Sequence, residues 1–359
     1  MKERIYVCHT YYHVYVTFLK ELNRPVEQRG QATLVLSSLS IDFECLKERV
    51  EATGLFEAVV EFEEKRDTAF PELAKYRQDT GNLVKNLVNR VRFTRKFARA
   101  LAPTLPVDFR EYGQIYVYCD SDPIGYYLNV YKIPYHALED GLNCLKNYDA
   151  ARYDNRGHFG LKAFLSQRCN LIFIQNGYGK YCIDMEVNDI SLLKYPFRKY
   201  VEQPRQALVE RLTREDKDII LRAFVRDMER LRAQLTDRQG EAPGRDRILI
   251  LTDPLCTLEI RERIFRDIIA MFELEGQIFL KPHPRDELDY RALFGEYPQF
   301  DPTVPMEMLN FFPGIRFKKV VAVLTEVGAI GYADEKVRLG EDFMDRYEDP
   351  LVHRQNEQI

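Results

Sequence analysis

The strongest constraint on this chain is an alternation of short apolar runs with longer amphipathic stretches, which begins at the first residues and restarts after residue 245. Ile5–Cys8, Ala32–Leu36, Ala58–Phe62, Ile115–Cys119, Tyr135–Leu138 and Leu171–Ile174 read as strands. Tyr11–Leu22, Phe43–Ala52 and Gly81–Leu101 read as helices, and a tyrosine-rich helix follows Asp122-Pro123. Thr213, with Asp216 three residues on, reads as the cap of a charged helix reaching about Leu235. Strands that alternate with helices pair in parallel, because each crossover must return the chain to the same edge of the sheet. Both faces of such a sheet are then covered.

The stretch 236–245 is polar, carries Gly and Pro, and has no periodicity. It divides the chain into expected domains 1–240 and 241–359. In the second, Ile248–Leu251, Ile278–Leu280 and Val320–Val323 read as strands, Ile260, Ile264, Ile268 and Phe272 form one helix face, and Pro305–Phe311 reads as a short helix. Phe343 and Tyr347 suggest a C-terminal helix before Pro350. The expected fold class is α/β, with two successive domains and a cleft between them. A length of 359 residues allows each domain its own core.

A net charge of -4 gives no reason to expect nucleic acid, so any anion site must be local. The seven cysteines form no CxxC pair and read as small apolar residues in a reducing compartment. Residues 1–8 read as a strand rather than a signal peptide, and no apolar run approaches the roughly 18 residues of a spanning helix. The expected location is the cytoplasm, with peripheral contact on the inner face of the membrane left open. Gly81–Leu101 bears on that point, because it sets Lys85, Arg90, Arg92, Arg95, Lys96 and Arg99 among Leu83, Leu87, Val88, Val91 and Phe97. Such a helix either presents a solvated basic face or lies on an anionic membrane. A homodimer is also left open.

Two motifs stand where parallel sheets place their chemistry, beyond the carboxyl ends of strands. Ile278–Leu280 runs into Lys281-Pro282-His283-Pro284-Arg285-Asp286, and the prolines stop the strand and leave an imidazole between two cations. Those cations suit a phosphate better than a metal; the plain alternative is a loop histidine between turn prolines. Tyr135–Leu138 runs into Glu139-Asp140-Gly141, in which one carboxylate can face a cleft and act as a base while Gly141 allows a tight turn. The alternative there is an acidic turn. Asp120-Ser121-Asp122 has the D-x-D spacing of metal-dependent transferases, but Pro123 reads it as a helix start. His9 and His13 could touch an acceptor or simply pack. His136 reads as structural, and Tyr11, Tyr12, Tyr126 and Tyr127 as core or sugar-stacking residues.

Ala137-Leu138-Glu139-Asp140-Gly141-Leu142 and Leu280-Lys281-Pro282-His283-Pro284-Arg285, with Cys8-His9-Thr10 and Ile248–Thr252, resemble the bacterial sialyltransferases of glycosyltransferase family 52. These are akin to the bacterial polysialyltransferases and the multifunctional marine sialyltransferases, and the likeness runs to about residue 330. It implies a GT-B scaffold of two Rossmann-like domains facing a central cleft. It also implies an inverting, metal-independent transfer of sialic acid from CMP-sialic acid to a galactose-terminated glycan of a capsule or lipooligosaccharide, with no cofactor. Asp140, or Glu139 in another register, would be the base. His283 would protonate or hydrogen-bond the leaving phosphate, helped by Lys281 or Arg285, with Gly141 and Pro284 also among the residues that bind the donor. Val304-Pro305-Met306-Glu307 resembles the segment whose glutamate, here Glu307, meets the cytosine base. The family's hydroxyl pair for the phosphate is represented by Thr325 alone, followed by Glu326. That departure keeps alive a related transferase with another donor, such as a glucosyltransferase, and a degenerate glycan- or nucleotide-binding protein.

Overall fold

The computed structural model describes residues 1–350 apart from 41, 44, 119, 121, 142–156, 194–198, 237–245, 313–314 and 329. The chain forms two compact units that divide between Asp216 and Lys217. This point lies inside the helix Arg214–Phe224. The stretch 237–245, on which the sequence boundary rests, is outside the described residues.

Among the described residues the first unit holds seven strands: β1 (Lys2–Cys8), β2 (Ala32–Ser37), β3 (Ala58–Phe62), β4 (Tyr112–Tyr118), β5 (Tyr135–Leu138), β6 (Cys182–Val187) and β7 (Tyr200–Glu202). Their order is β3-β2-β1-β4-β5-β6-β7, and every pairing is parallel. Arg4 to Cys8 pair with Ala32 to Leu36 on one side of β1, and Lys2 to Val7 with Tyr112 to Val117 on the other. Strand order therefore reverses between β1 and β4, which is where such sheets open a crevice at their carboxyl edge.

The helix α1 (Tyr11–Leu22) follows β1 after two residues. Thr10 caps it, its side chain accepting from the His13 N–H at 3.2 Å. Val14, Val16, Phe18 and Leu19 are fully buried, each side chain stabilising the unit by about 2 kcal/mol. A helix apolar on most of its circumference must sit inside the domain, and α1 does so with its first turn at the crevice.

One expectation for this unit is corrected, and one strand was not expected. Leu171–Ile174 is not a strand: Ile172, Phe173 and Ile174 are buried, but the segment is irregular, the N–H groups of Leu171 and Ile174 going to Leu165 O and Ser166 Oγ and Phe173 packing against Tyr126 at 4.8 Å. The strand beside β5 is β6, whose sequence Cys-Ile-Asp-Met-Glu-Val carries two acids. One of them, Glu186, stays near the core by pairing with Lys20.

In the second unit the described strands are β8 (Arg247–Leu251), β9 (Gln277–Lys281), β10 (Phe317–Ala322) and β11 (Ala333–Arg338), ordered β11-β10-β8-β9 and all parallel. Order reverses between β8 and β10. The helix Leu258–Phe272 buries Ile264, Phe265, Ile268 and Phe272 against Ile248, Ile250, Ile278 and Leu280. Ile260 is only partly buried, so the expected face is rotated toward Phe265. The charged helix expected from Thr213 to Leu235 is two helices, Arg214–Phe224 and Met228–Thr236. Its cap is as expected: Thr213 and Asp216 exchange backbone-to-side-chain bonds at 3.0 and 3.1 Å. Pro305–Phe311 is a 3-10 turn, Met306–Phe311, and the C-terminal helix is the single turn Glu341–Met344, with Phe343 and Met344 in the second core.

Candidate active site

In the first unit, the chain after β1 and the chain after β5 meet. The N–H of His9 donates to His13 Nδ1 at 3.1 Å, which leaves the ring hydrogen on Nε2. That nitrogen bonds Asp140 Oδ1. Tyr118, at the end of β4, stacks on the imidazole at 4.2 Å with the rings 7° from parallel. His13 is thus fixed from below, behind and in front. Its side chain is 1% exposed while that of Asp140 is 28% exposed, so the carboxylate is the member of the pair that a substrate can reach.

Glu139 points the other way. It is buried, and its Oε2 accepts the Asn188 N–H at 2.5 Å, tying the end of β5 to the loop after β6. Burial raises its carboxyl above the ordinary range, opposed by the Asn188 N–H and Arg205 and reinforced by the charge of Asp140. Gly141 has φ +112, a backbone conformation that side chains rarely adopt, and the space its missing Cβ would occupy is open. His9 turns inward, with Nε2 3.2 Å from the buried Glu64. The packed reading therefore describes His9, while His13 packs and also holds the acid.

Asp120 is fully buried. It accepts from the backbone N–H of Asn176, from that of Gly177 at 3.3 Å and from the Tyr135 hydroxyl at 2.8 Å. A carboxylate so engaged fastens the loop 176–177 to β4 and β5, which gives Asp120 a structural task. Ser121 lies outside the described residues. No cluster of three or more His, Cys, Asp or Glu suited to a metal occurs among the described residues. His136, inside β5, pairs with Asp184 at 2.7 Å and stacks on Tyr116.

In the second unit, the loops after β8, β9 and β10 are knitted together. The His283 N–H donates to Thr252 Oγ1 at 3.0 Å, and the Arg285 N–H donates to His283 Nδ1 at 3.1 Å. The second bond again puts the imidazole hydrogen on Nε2. Burial, with the charges of Arg285, Lys281 and Arg261 nearby, lowers this imidazole to about 3, so near neutrality the ring is an uncharged donor. Asp286 organises the turn. Its carboxylate takes Arg261 Nη1, the Leu288 N–H at 3.0 Å and the Tyr290 hydroxyl at 2.8 Å, and Thr252 lies at 3.4 Å. Arg261 also reaches the carbonyls of Leu255 and Cys256 at 2.6 and 3.0 Å.

The remaining expected residues are placed unequally. Pro284 and Arg285 are exposed beside His283. Lys281 is buried, with Nζ donating to the carbonyls of Pro282 and Pro302 at 2.9 and 3.1 Å, and burial lowers it to about 8 against the pull of Asp301 and Glu307. Glu307, on the turn Met306–Phe311, is raised by burial and held down in part by Lys281. The Thr325 hydroxyl donates to Asp253, which also takes the N–H groups of Leu324 and Thr325 at 3.1 and 3.3 Å. The sequence reading gave no role to Asp253, Asp286, Arg261 or Tyr290. The available signal was position: two of them directly follow Thr252 and Arg285 at strand ends.

Residues 56–323 match glycosyltransferase family 52, a span that contains both motifs and Glu307 and stops short of Thr325. An uncharacterized protein of Haemophilus influenzae is 26% identical over 161 residues, 44% of each chain, so the match spans under half of that relative's length. Among solved structures, the α/β-galactoside α-2,3-sialyltransferase of Photobacterium phosphoreum is similar at TM-score 0.50 and 13% identity, over 92% of this chain and 88% of that one. A sialyltransferase of Photobacterium damsela is similar at TM-score 0.50 and 10% identity, over 99% and 79%. At such identity the likeness speaks for the fold, which is of the GT-B type expected from the sequence. With the family match covering most of its length, the chain belongs to glycosyltransferase family 52.

Proposed function

We propose that this chain transfers sialic acid from CMP-sialic acid to a hydroxyl of a galactose-terminated glycan, with inversion and without a metal. The observation that carries the reading is Asp140: a reachable carboxylate of the Glu-Asp-Gly motif, held by the Nε2–H of a buried histidine at the carboxyl edge of the sheet. Asp140 takes the proton of the acceptor hydroxyl as that oxygen attacks the anomeric carbon, and the bond to the CMP phosphate breaks on the opposite face. Glu139, engaged with Asn188, serves as a support rather than the base.

His283 faces the departing phosphate as a neutral Nε2–H donor. With the imidazole lowered to about 3, hydrogen bonding rather than outright proton donation is its role in the resting protein. Arg285 adds charge, and Lys281 acts from beneath the loop. Glu307 accepts from the exocyclic amine of cytosine. Because the Thr325 hydroxyl is given to Asp253, phosphate recognition rests on the His283 side. The same observation favours one second reading, a family-52 transferase with another nucleotide-sugar donor. Either activity belongs in the cytoplasm, where nucleotide sugars are used. No helix among the described residues is long and apolar enough to cross a membrane.

Purified protein incubated with CMP-sialic acid should release CMP, faster when lactose is present. Absence of release, of donor hydrolysis and of a thermal shift with CMP rejects the sialyl reading. Release of UDP from UDP-glucose instead establishes the second.

A further inference from the structure

The helix Leu83–Leu101 buries only part of its length. Phe93, Thr94, Ala98 and Leu101 are in the interior, whereas Leu83, Val84, Leu87 and Val88 are 70, 72, 37 and 42% exposed. On a helical net, Leu83 and Leu87 continue the stripe of Thr94, Ala98 and Leu101. The apolar stripe that packs in the last turns is thus bare in the first two. A stripe uncovered over two turns calls for an occupant outside the unit.

Charge selects the occupant. The helix carries Lys85, Arg90, Arg92, Arg95, Lys96 and Arg99 and no acidic residue, in a chain whose net charge is -4. Lys85, Arg92, Arg95, Lys96 and Arg99 are exposed. Lys96 also lies 5.8 Å from the Tyr76 ring. A second copy meeting this helix face to face would bring like charges together. Nucleic acid would take the cations but leave four aliphatic side chains in water. A membrane rich in anionic lipid takes both, the aliphatic groups entering the acyl boundary and the cations meeting headgroups.

Topology fixes where this surface sits. The helix joins the parallel strands β3 and β4, so it runs from the carboxyl edge of the sheet back to the amino edge. Its bare first turns therefore lie on the edge that also carries Asp140. The helix Phe159–Gln167, which joins β5 to β6 in the same sense, exposes Leu161 and Phe164 at 58 and 56%.

We infer that the amino-terminal half of Leu83–Leu101 docks this protein on an anionic lipid surface, with Leu83, Val84, Leu87 and Val88 in the interface and Lys85, Arg92, Arg95 and Lys96 at the headgroups. The inference stands apart from the donor assignment, because it is read by lipid binding and not by turnover.

The test is co-sedimentation of the full chain with vesicles of phosphatidylcholine alone and of phosphatidylcholine mixed with phosphatidylglycerol. Binding is expected to the mixed vesicles only, and to weaken with added salt. Replacing Arg92, Arg95 and Lys96 by Glu should lower partitioning by about two orders of magnitude. Leu87→Asp with Val88→Asp should lower it at least roughly tenfold. Thermal melting of each variant at the wild-type temperature shows that the fold is intact, and Leu87→Ser with Val88→Ser replaces the aspartates if it is not. Equal binding to both vesicle types, binding unchanged by both sets of substitutions, or a dimer in light scattering that the Leu87 and Val88 changes dissolve would each overturn the inference.

Discussion

His13 and Asp140 lie 127 positions apart in the chain and share one hydrogen bond. The bond has a direction, because the N–H of His9 occupies the other ring nitrogen. It donates to a carboxylate and so orients one of its oxygens. A buried donor behind a partly exposed acid is an arrangement for positioning a base.

This arrangement separates the two acids of the motif. Asp140→Asn is expected to reduce kcat by about 10²–10⁴-fold while melting like wild type. Glu139→Gln keeps an oxygen for the Asn188 N–H and removes the burial penalty on the charge, so its activity should stay within a few-fold of wild type. Steady-state kinetics on both variants decide the matter, and the opposite ranking assigns the base to Glu139.

A pH effect follows from His283. Its imidazole is lowered from 6.5 to about 3, so between those values the unfolded chain holds a proton that the folded chain does not. Stability consequently rises with pH across that window and, for this group alone, is lower at about pH 5 than near neutrality by about 2 kcal/mol. His283→Asn should abolish that share of the acid sensitivity. Urea melts of both proteins at the two pH values measure it, and an identical loss in the variant contradicts the placement of His283.

Asp286 and Arg261 form a buried pair that holds the loops after β8 and β9. Asp286→Ala leaves the guanidinium without its carboxylate and should destabilise the second unit by about 3–5 kcal/mol. Replacing both, Asp286→Leu with Arg261→Met, should be milder. The CMP-induced thermal shift should fall in both, since Thr252, which takes the His283 N–H, loses its bond to Asp286.

Metal removal should leave turnover unchanged. Asp120 is consumed by Asn176, Gly177 and Tyr135, so Asp120→Asn is expected to lower the melting temperature rather than to create a metal requirement. Activity assayed with and without EDTA checks the first point, and inhibition by EDTA restored by a divalent ion would reverse it.

The strands were legible where burial demands apolar side chains: β1, β2, β3, β5, β8 and β9 each contain a short, mainly apolar run. They were illegible where pairing is satisfied otherwise. Leu171–Ile174 is as apolar as a strand, yet its backbone bonds go to Leu165 and Ser166 rather than to a sheet, and β6 hides behind Asp184 and Glu186, whose charges find His136 and Lys20. The motif acids and His283 could be picked out because each follows a strand. Their partners could not, because the pairs His13 with Asp140 and Asp253 with Thr325 are made by the sheet and not by neighbours in sequence. The expected hydroxyl at Thr325 is present, but its bond to Asp253 is a property of folded loops.

The junction between β1 and α1 is a ruler. Only His9 and Thr10 separate the strand from the helix, and both are employed, one supplying the N–H on His13 Nδ1 and the other the cap. One residue more or less there would swing the first helical turn by about 100° and carry the imidazole away from Asp140. At this corner length matters as much as composition, so an insertion after Cys8 would disarm the acid without touching it.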